Sequence, residues 1–156
     1  MIEKLTKHGR LTLNDAALEA RHAGSTEALP EHLLLALTRD DAERNKSNSY
    51  FPKPVASVVL ERLGVSLPML RADLLQNNSA CEREKVTQVV LSLALHDLIQ
   101  QALREAEEIG GRFIGSEHLL LALLRNNETA SALTLARFGV HWQNAHEVVM
   151  LIQDGK

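Results

Sequence analysis

The stretch PEHLLLALTR at residues 30–39 returns as SEHLLLALLR at residues 116–125, with seven consecutive residues identical and an offset of 86. The offset holds upstream, where Leu13 falls on Ile99, Ala16 on Ala102, Glu19 on Glu105, Ala20 on Ala106 and Gly24 on Gly110. It also holds for Arg39 and Arg125, and then drops to 75, so that LERLGVS at 60–66 aligns with LARFGVH at 135–141. The first copy therefore carries 11 extra residues, within the polar, proline-bearing stretch DDAERNKSNSYFPKP at 40–54. That composition reads as a surface loop, where added length has little energetic cost.

Each copy predicts four helical segments. Leu95, Ile99, Ala102, Ala106 and Ile109 recur at steps of three and four and form one apolar stripe, which Leu13, Ala16, Ala20 and Ala23 repeat more weakly. Asp97, Gln100, Arg104 and Glu108 lie off the stripe. Gly24 and Gly110 stand where a first helix ends in a left-handed glycine, and Gly64 and Gly139 do the same for a third. Gly9 occupies the place of Leu95 and predicts a weaker helix start. The leucine block crowds too many leucines into one turn for a single stripe, so it predicts a short helix buried on most sides. Ser116 is expected to cap that helix in the second copy, with Glu117 facing the positive end of its dipole. Pro30 suits the first position of the other and brings no hydroxyl. A fourth segment runs from about Leu67 to Gln76 and from about Trp142 to Gln153.

The predicted fold is all-α, with two pseudo-twofold-related four-helix repeats packed into one compact domain over 1–156. Repeat one covers about 5–76 with a loop insertion at about 41–55, the linker about 77–88, and repeat two about 89–153. Two such copies are too long and too few for a solenoid of short repeats. Neither copy alone has much core, so each is expected to bury a face against the other.

Composition narrows function. Hydrophobic residues make up 45% and aromatics 3%, a palette of Leu, Val, Ile and Ala that favours helices. The net charge of -3 and the scarcity of aromatics argue against nucleic-acid partners. The single cysteine, Cys81, excludes an internal disulfide. No signal-like start and no apolar run of spanning length appear, which reads as a soluble, cytoplasmic protein with no membrane partner. Seven histidines raise the possibility of a metalloenzyme, but no His-Glu-x-x-His is present, and His32 and His118 read better as buried histidines tying down a neighbouring loop. GGRFIGSEH at 110–118 lacks the Gly-Lys-Ser/Thr ending of a phosphate loop and reads as a helix end followed by a helix start. No catalytic residue, metal or cofactor is predicted. Glu31 and Glu117 open the leucine helices, where a carboxylate complements the dipole or meets a cation.

The paired PEHLLLAL and SEHLLLALL, with ALEARHAG and ALREAEEIG before them and LERLGVS and LARFGVH after, resemble the double repeat of the Clp N-terminal domain. The resemblance runs from about Leu5 to Gln153. It implies a non-enzymatic domain that docks client polypeptides or adaptor proteins for the AAA+ unfoldases, in cis or in trans. A free-standing regulator of a Clp complex is the alternative. In the ClpC-type branch the resemblance further implies phosphoarginine recognition by a hydroxyl residue before the first helix and the glutamate of the leucine helix. Those places are Thr6 with Glu31, and Ser92 with Glu117, in each case 25 residues apart. Because Pro30 replaces a hydroxyl, the two sites are expected to be unequal. The groove between the copies is a candidate apolar peptide surface, and Tyr50 and Phe51 in the insertion are candidate partner contacts.

Overall fold

The computed structural model describes residues 2–39, 54–77 and 88–155. The Tyr50–Phe51 insertion and Cys81 lie outside the described residues. Within them the first repeat supplies α1 (Lys7–His22), α2 (Pro30–Leu37), α3 (Val55–Arg62) and α4 (Leu67–Asn77). The second supplies α5 (Leu93–Glu108), α6 (Ser116–Arg125), α7 (Ala130–Arg137) and α8 (Trp142–Gln153). Two strands of two residues each, β1 (Glu27–Ala28) and β2 (Val90–Leu91), are the exceptions to the all-α plan, together with a short 3-10 turn at Ile2–Lys4.

The helices form where the patterns place them. In α5 the stripe residues Leu95, Ile99, Ala102 and Ala106 are buried, while Asp97, Gln100, Arg104 and Glu108 are exposed. In α2 every residue from His32 to Leu37 is buried, and in α6 every residue from His118 to Leu124. These two leucine helices are the centre of a core that draws side chains from both repeats, from Leu13 and Leu70 to Leu95, Leu135 and Val149. The packing is reciprocal. α1 lies on α2 as α5 lies on α6, and α3 crosses to α6 as α7 crosses to α2. α1 and α5 end in the left-handed glycines Gly24 and Gly110, at φ 75° and 91°.

The caps differ from the sequence expectation. Ser116 does not cap α6; it is the first helical residue, and Gly115 stands at the cap. The Ser116 hydroxyl, fully buried, instead accepts from the Ala56 amide at 3.2 Å, in the first turn of α3 in the other repeat. The reason lies at Pro54, which precedes α3 and has no side-chain acceptor. Its counterpart at the offset of 75 is Thr129, whose hydroxyl accepts from the Ala132 amide within its own repeat. Ser116 thus compensates for Pro54, whereas α7 has no such need, and the counterpart position of Ser116 is free to be Pro30.

Each repeat also buries one glutamate from its first helix, at the end of its leucine helix. Glu19 accepts from Arg39 Nε and from Arg71 Nη2, both at 2.8 Å. Glu105 accepts from Arg125 Nε at 2.6 Å and from the Trp142 indole at 3.2 Å. The Arg125 guanidinium lies 4.1 Å over the Trp142 ring, at a cavity of about 230 Å³ between α6, α7 and α8. Burial of a carboxylate demands such partners, and the charge of an arginine supplies what neutral donors alone do not.

Candidate functional site

Thr6 and Ser92 hold matching positions. Each is the N-cap of its 16-residue helix, with its hydroxyl accepting from the amide three residues on: Gly9 at 3.0 Å for Thr6, Leu95 at 3.1 Å for Ser92. The amides of the next residues in each first turn have no partner inside the helix, which makes both starts suited to an anion.

The glutamate brought to each hydroxyl comes from the other repeat. The Thr6 amide donates to the Ile114 carbonyl at 2.9 Å, and the Ile114 amide to the Lys4 carbonyl at 2.7 Å, in a parallel bridge between Leu5 and Ile114. This sets Thr6 beside Gly115, two residues before Glu117. The Ser92 amide donates to the Ala28 carbonyl and the Val90 amide to the Thr26 carbonyl, both at 3.0 Å. Parallel register pairs Glu27 with Val90 and Ala28 with Leu91, which sets Ser92 beside Leu29, two residues before Glu31. The backbone register thus places Thr6 beside the turn that leads to Glu117, and Ser92 beside the turn that leads to Glu31, each across the repeats. The physical cause is that each repeat's leading strand finds its backbone partner in the other repeat.

Gly9 owes its place to this crossing. A Cβ there would stand 2.7 Å from the Ile114 carbonyl oxygen, so the bridge needs a residue without a side chain. A Cβ on Gly115 would stand 2.5 Å from a Glu117 carboxylate oxygen, which folds back over the bare backbone of its own helix start. The Glu117 side chain is 17% exposed, and Glu31 is half-buried.

His32 and His118 secure the turns into the two leucine helices. Nδ1 of His32 accepts from the Leu29 amide, and Nδ1 of His118 from the Gly115 amide, both at 2.9 Å. The loop-tying role expected of these histidines is what the structure shows. Accepting at Nδ1 leaves the proton on Nε2, the neutral tautomer. Burial holds both imidazoles below their ordinary value, opposed in His32 by Glu31 and Glu19 and in His118 by Glu117 and Glu105. Among the described residues no group of three or more His, Cys, Asp or Glu is disposed to hold a metal ion. No helix among them is long and apolar enough to cross a membrane.

The family model for the Clp repeat (R) N-terminal domain matches residues 4–138. The chain belongs to this family. Chaperone protein ClpC1 of Arabidopsis thaliana chloroplasts is 26% identical over 150 residues, 96% of this chain and 15% of that protein. The chain thus spans about one sixth of the length of the curated relatives it matches. The N-domain of ClpV from Vibrio cholerae has the same fold, with a TM-score of 0.74 at 21% identity, covering 97% of this chain and 86% of that one. A complex of a ClpV N-domain with a VipB peptide has a TM-score of 0.68 at 22% identity, covering 96% of this chain and 88% of the other. The all-helical double repeat is the architecture of Clp N-domains.

Proposed function

We propose that this Clp N-terminal domain is a non-enzymatic docking module. It holds client polypeptides or adaptor proteins for a Clp-type AAA+ motor, whether that motor follows on the same polypeptide or is a separate protein. The observation that carries this is the pair of corners where an open helix start of one repeat meets a carboxylate of the other. The peptide complex of the ClpV N-domain, which shares the fold, supports the same reading.

The finer proposal is that the corners accept phosphoarginine. The phosphate takes the first-turn amides and the hydroxyl of Thr6 or Ser92, and the guanidinium takes Glu117 or Glu31. In this reading Thr6 and Glu117 hold one ligand and Ser92 and Glu31 the other, which the backbone register between the repeats supports. Titration calorimetry with free phosphoarginine tests it. A charge-assisted hydrogen bond contributes about 1.5–3 kcal/mol, so Glu117→Ala weakens the Thr6 site by about tenfold or more. Thr6→Val abolishes that same site and leaves the Ser92 site intact. No saturable heat with the parent protein overturns phosphoarginine binding. Loss at the Ser92 site on removing Glu117 overturns the crossed assignment.

A further inference from the structure

The two corners derive from one pattern and present opposite surfaces. At the offset of 86, Lys4 corresponds to Val90, Lys7 to Leu93 and Phe113 to Glu27, and all six side chains are exposed. Lys7 and Leu93 are the first residues of α1 and α5. The Thr6 corner therefore carries cations where the Ser92 corner carries apolar side chains, and the Ser92 corner carries a carboxylate where the other has an aromatic ring.

The Ser92 corner is continuous. Glu27 and Val90 are register partners, so their side chains leave the same face of the two-stranded pair, while Ala28 turns inward and is fully buried. Leu93, 78% exposed, and Val90, 62% exposed, are among the large apolar side chains most open to solvent in the described residues. Asp97 lies four residues beyond Leu93 on the same face of α5 and is also exposed. Glu31 opens α2 on the other side of the bridge. Neither 25–31 nor 88–97 contains a lysine or arginine. Val90 thus stands beside Glu27 across the strand pair, and Leu93 beside Asp97 along α5.

We propose that the Ser92 corner is a docking surface for a polypeptide segment in which an apolar side chain stands beside a lysine or arginine. Val90 and Leu93 cover the apolar side chain, and Glu27 and Asp97 meet the cation. The same charges turn away an acidic segment, so the surface selects as well as binds. The proposal rests on the docking function proposed above and adds the chemistry of what docks; the same carboxylates make this corner the weaker of the two for a phosphorylated arginine. The Thr6 corner, with Lys4 and Lys7, has the reverse preference.

Fluorescence anisotropy with three labelled peptides of equal length tests it, their leucines interspersed with lysine, glutamine or glutamate. The lysine peptide is expected to bind at least about tenfold more tightly than the glutamate peptide, with the difference shrinking as salt rises. Val90→Ser with Leu93→Ser, which leaves the charge unchanged, weakens the lysine peptide by about tenfold. Glu27→Gln lowers its salt dependence. Leu133→Lys on α7, 56% exposed in the parent, leaves binding as it was. Circular dichroism confirms that the variants remain folded, as substitutions of exposed side chains should. Equal binding of all three peptides overturns the preference and leaves the docking function standing. No binding of the lysine peptide, or unchanged binding by the double-serine variant, overturns the site itself.

Discussion

An imidazole at the third position of α2 and of α6 satisfies the amide of the cap residue, whereas at α1, α5 and α7 a cap hydroxyl satisfies the amide of the third helical residue. The choice has a consequence for pH. His118 is 4% exposed, and its burial disfavours the charged form. In the unfolded chain the same group takes up its proton near pH 6.5. The unfolded state therefore binds more protons as the pH falls through that value, and stability is lost from about pH 7 downward until the folded imidazoles themselves protonate. His32 acts in the same direction. Urea unfolding at pH 7.5 and 5.5 should give a lower midpoint at 5.5, and His118→Gln should flatten the difference. A midpoint that holds or rises on acidification would contradict this. The role of these histidines was legible in the sequence, because each stands three residues after a turn in an otherwise apolar helix. The roles of Gly9 and Ser116 were not. Gly9 looks like a weak helix start until Ile114 is placed over it, and Ser116 serves an amide 60 residues away.

Among the elements, α1 and α5 each present a buried glutamate to the end of a leucine helix, but with different partners. Arg39 and Arg71 around Glu19 are 9% and 19% exposed, whereas Arg125 beside Glu105 is 38% exposed. Removing Glu19 takes the shared carboxylate from two shielded guanidinium groups, leaving Arg39 with Asp15 at 3.6 Å and Arg71 with the Leu35 carbonyl at 3.1 Å. Removing Glu105 affects one that water reaches and that keeps Glu108 at 3.0 Å. Breaking a buried pair typically costs about 3–5 kcal/mol, and solvent access reduces the figure. Glu19→Ala should therefore destabilise the protein by more than Glu105→Ala, by about 1 kcal/mol or more, in paired chemical denaturation curves. Equal losses would mean that the Trp142 bond to Glu105 matters as much as the second arginine does to Glu19. The alignment at offset 86 already matched Glu19 with Glu105 and Arg39 with Arg125. It did not join them, since a repeat match shows equivalence and not contact. The approach of Thr6 to the turn before Glu117 escaped for the same reason: sequence distance favours Glu31, and only the backbone bridge from Leu5 to Ile114 points to the other repeat.

For the whole molecule, a core drawn from both repeats predicts that they unfold as one cooperative unit. Trp142, the single tryptophan, lies in the second repeat, while far-UV circular dichroism weighs the helices of both. Fluorescence and dichroism should trace coincident unfolding curves in denaturant. Separate midpoints would show that each repeat holds a core of its own. The two-repeat architecture was readable because duplication leaves its record in every matched leucine and glycine. How the repeats interlock was not, because backbone bonds between strands of two residues have almost no sequence pattern behind them.

Those strand bonds also shape the route to the native state. The Ala28–Leu91 contact closes a loop of 63 residues and the Leu5–Ile114 contact one of 109, the differences of their positions. Loop-closure entropy separates the two by only about 0.5 kcal/mol. The nearer contact also has two register pairs against a single bridge, so it has the advantage on both counts. The helices, built from local contacts, are expected to form early, with the clasp around Ser92 favoured to shut before the clasp around Thr6. On that order the Leu5–Ile114 bridge is the later of the two to be fastened. A polypeptide emerging from its N-terminus must leave Leu5 waiting until Ile114 has been made.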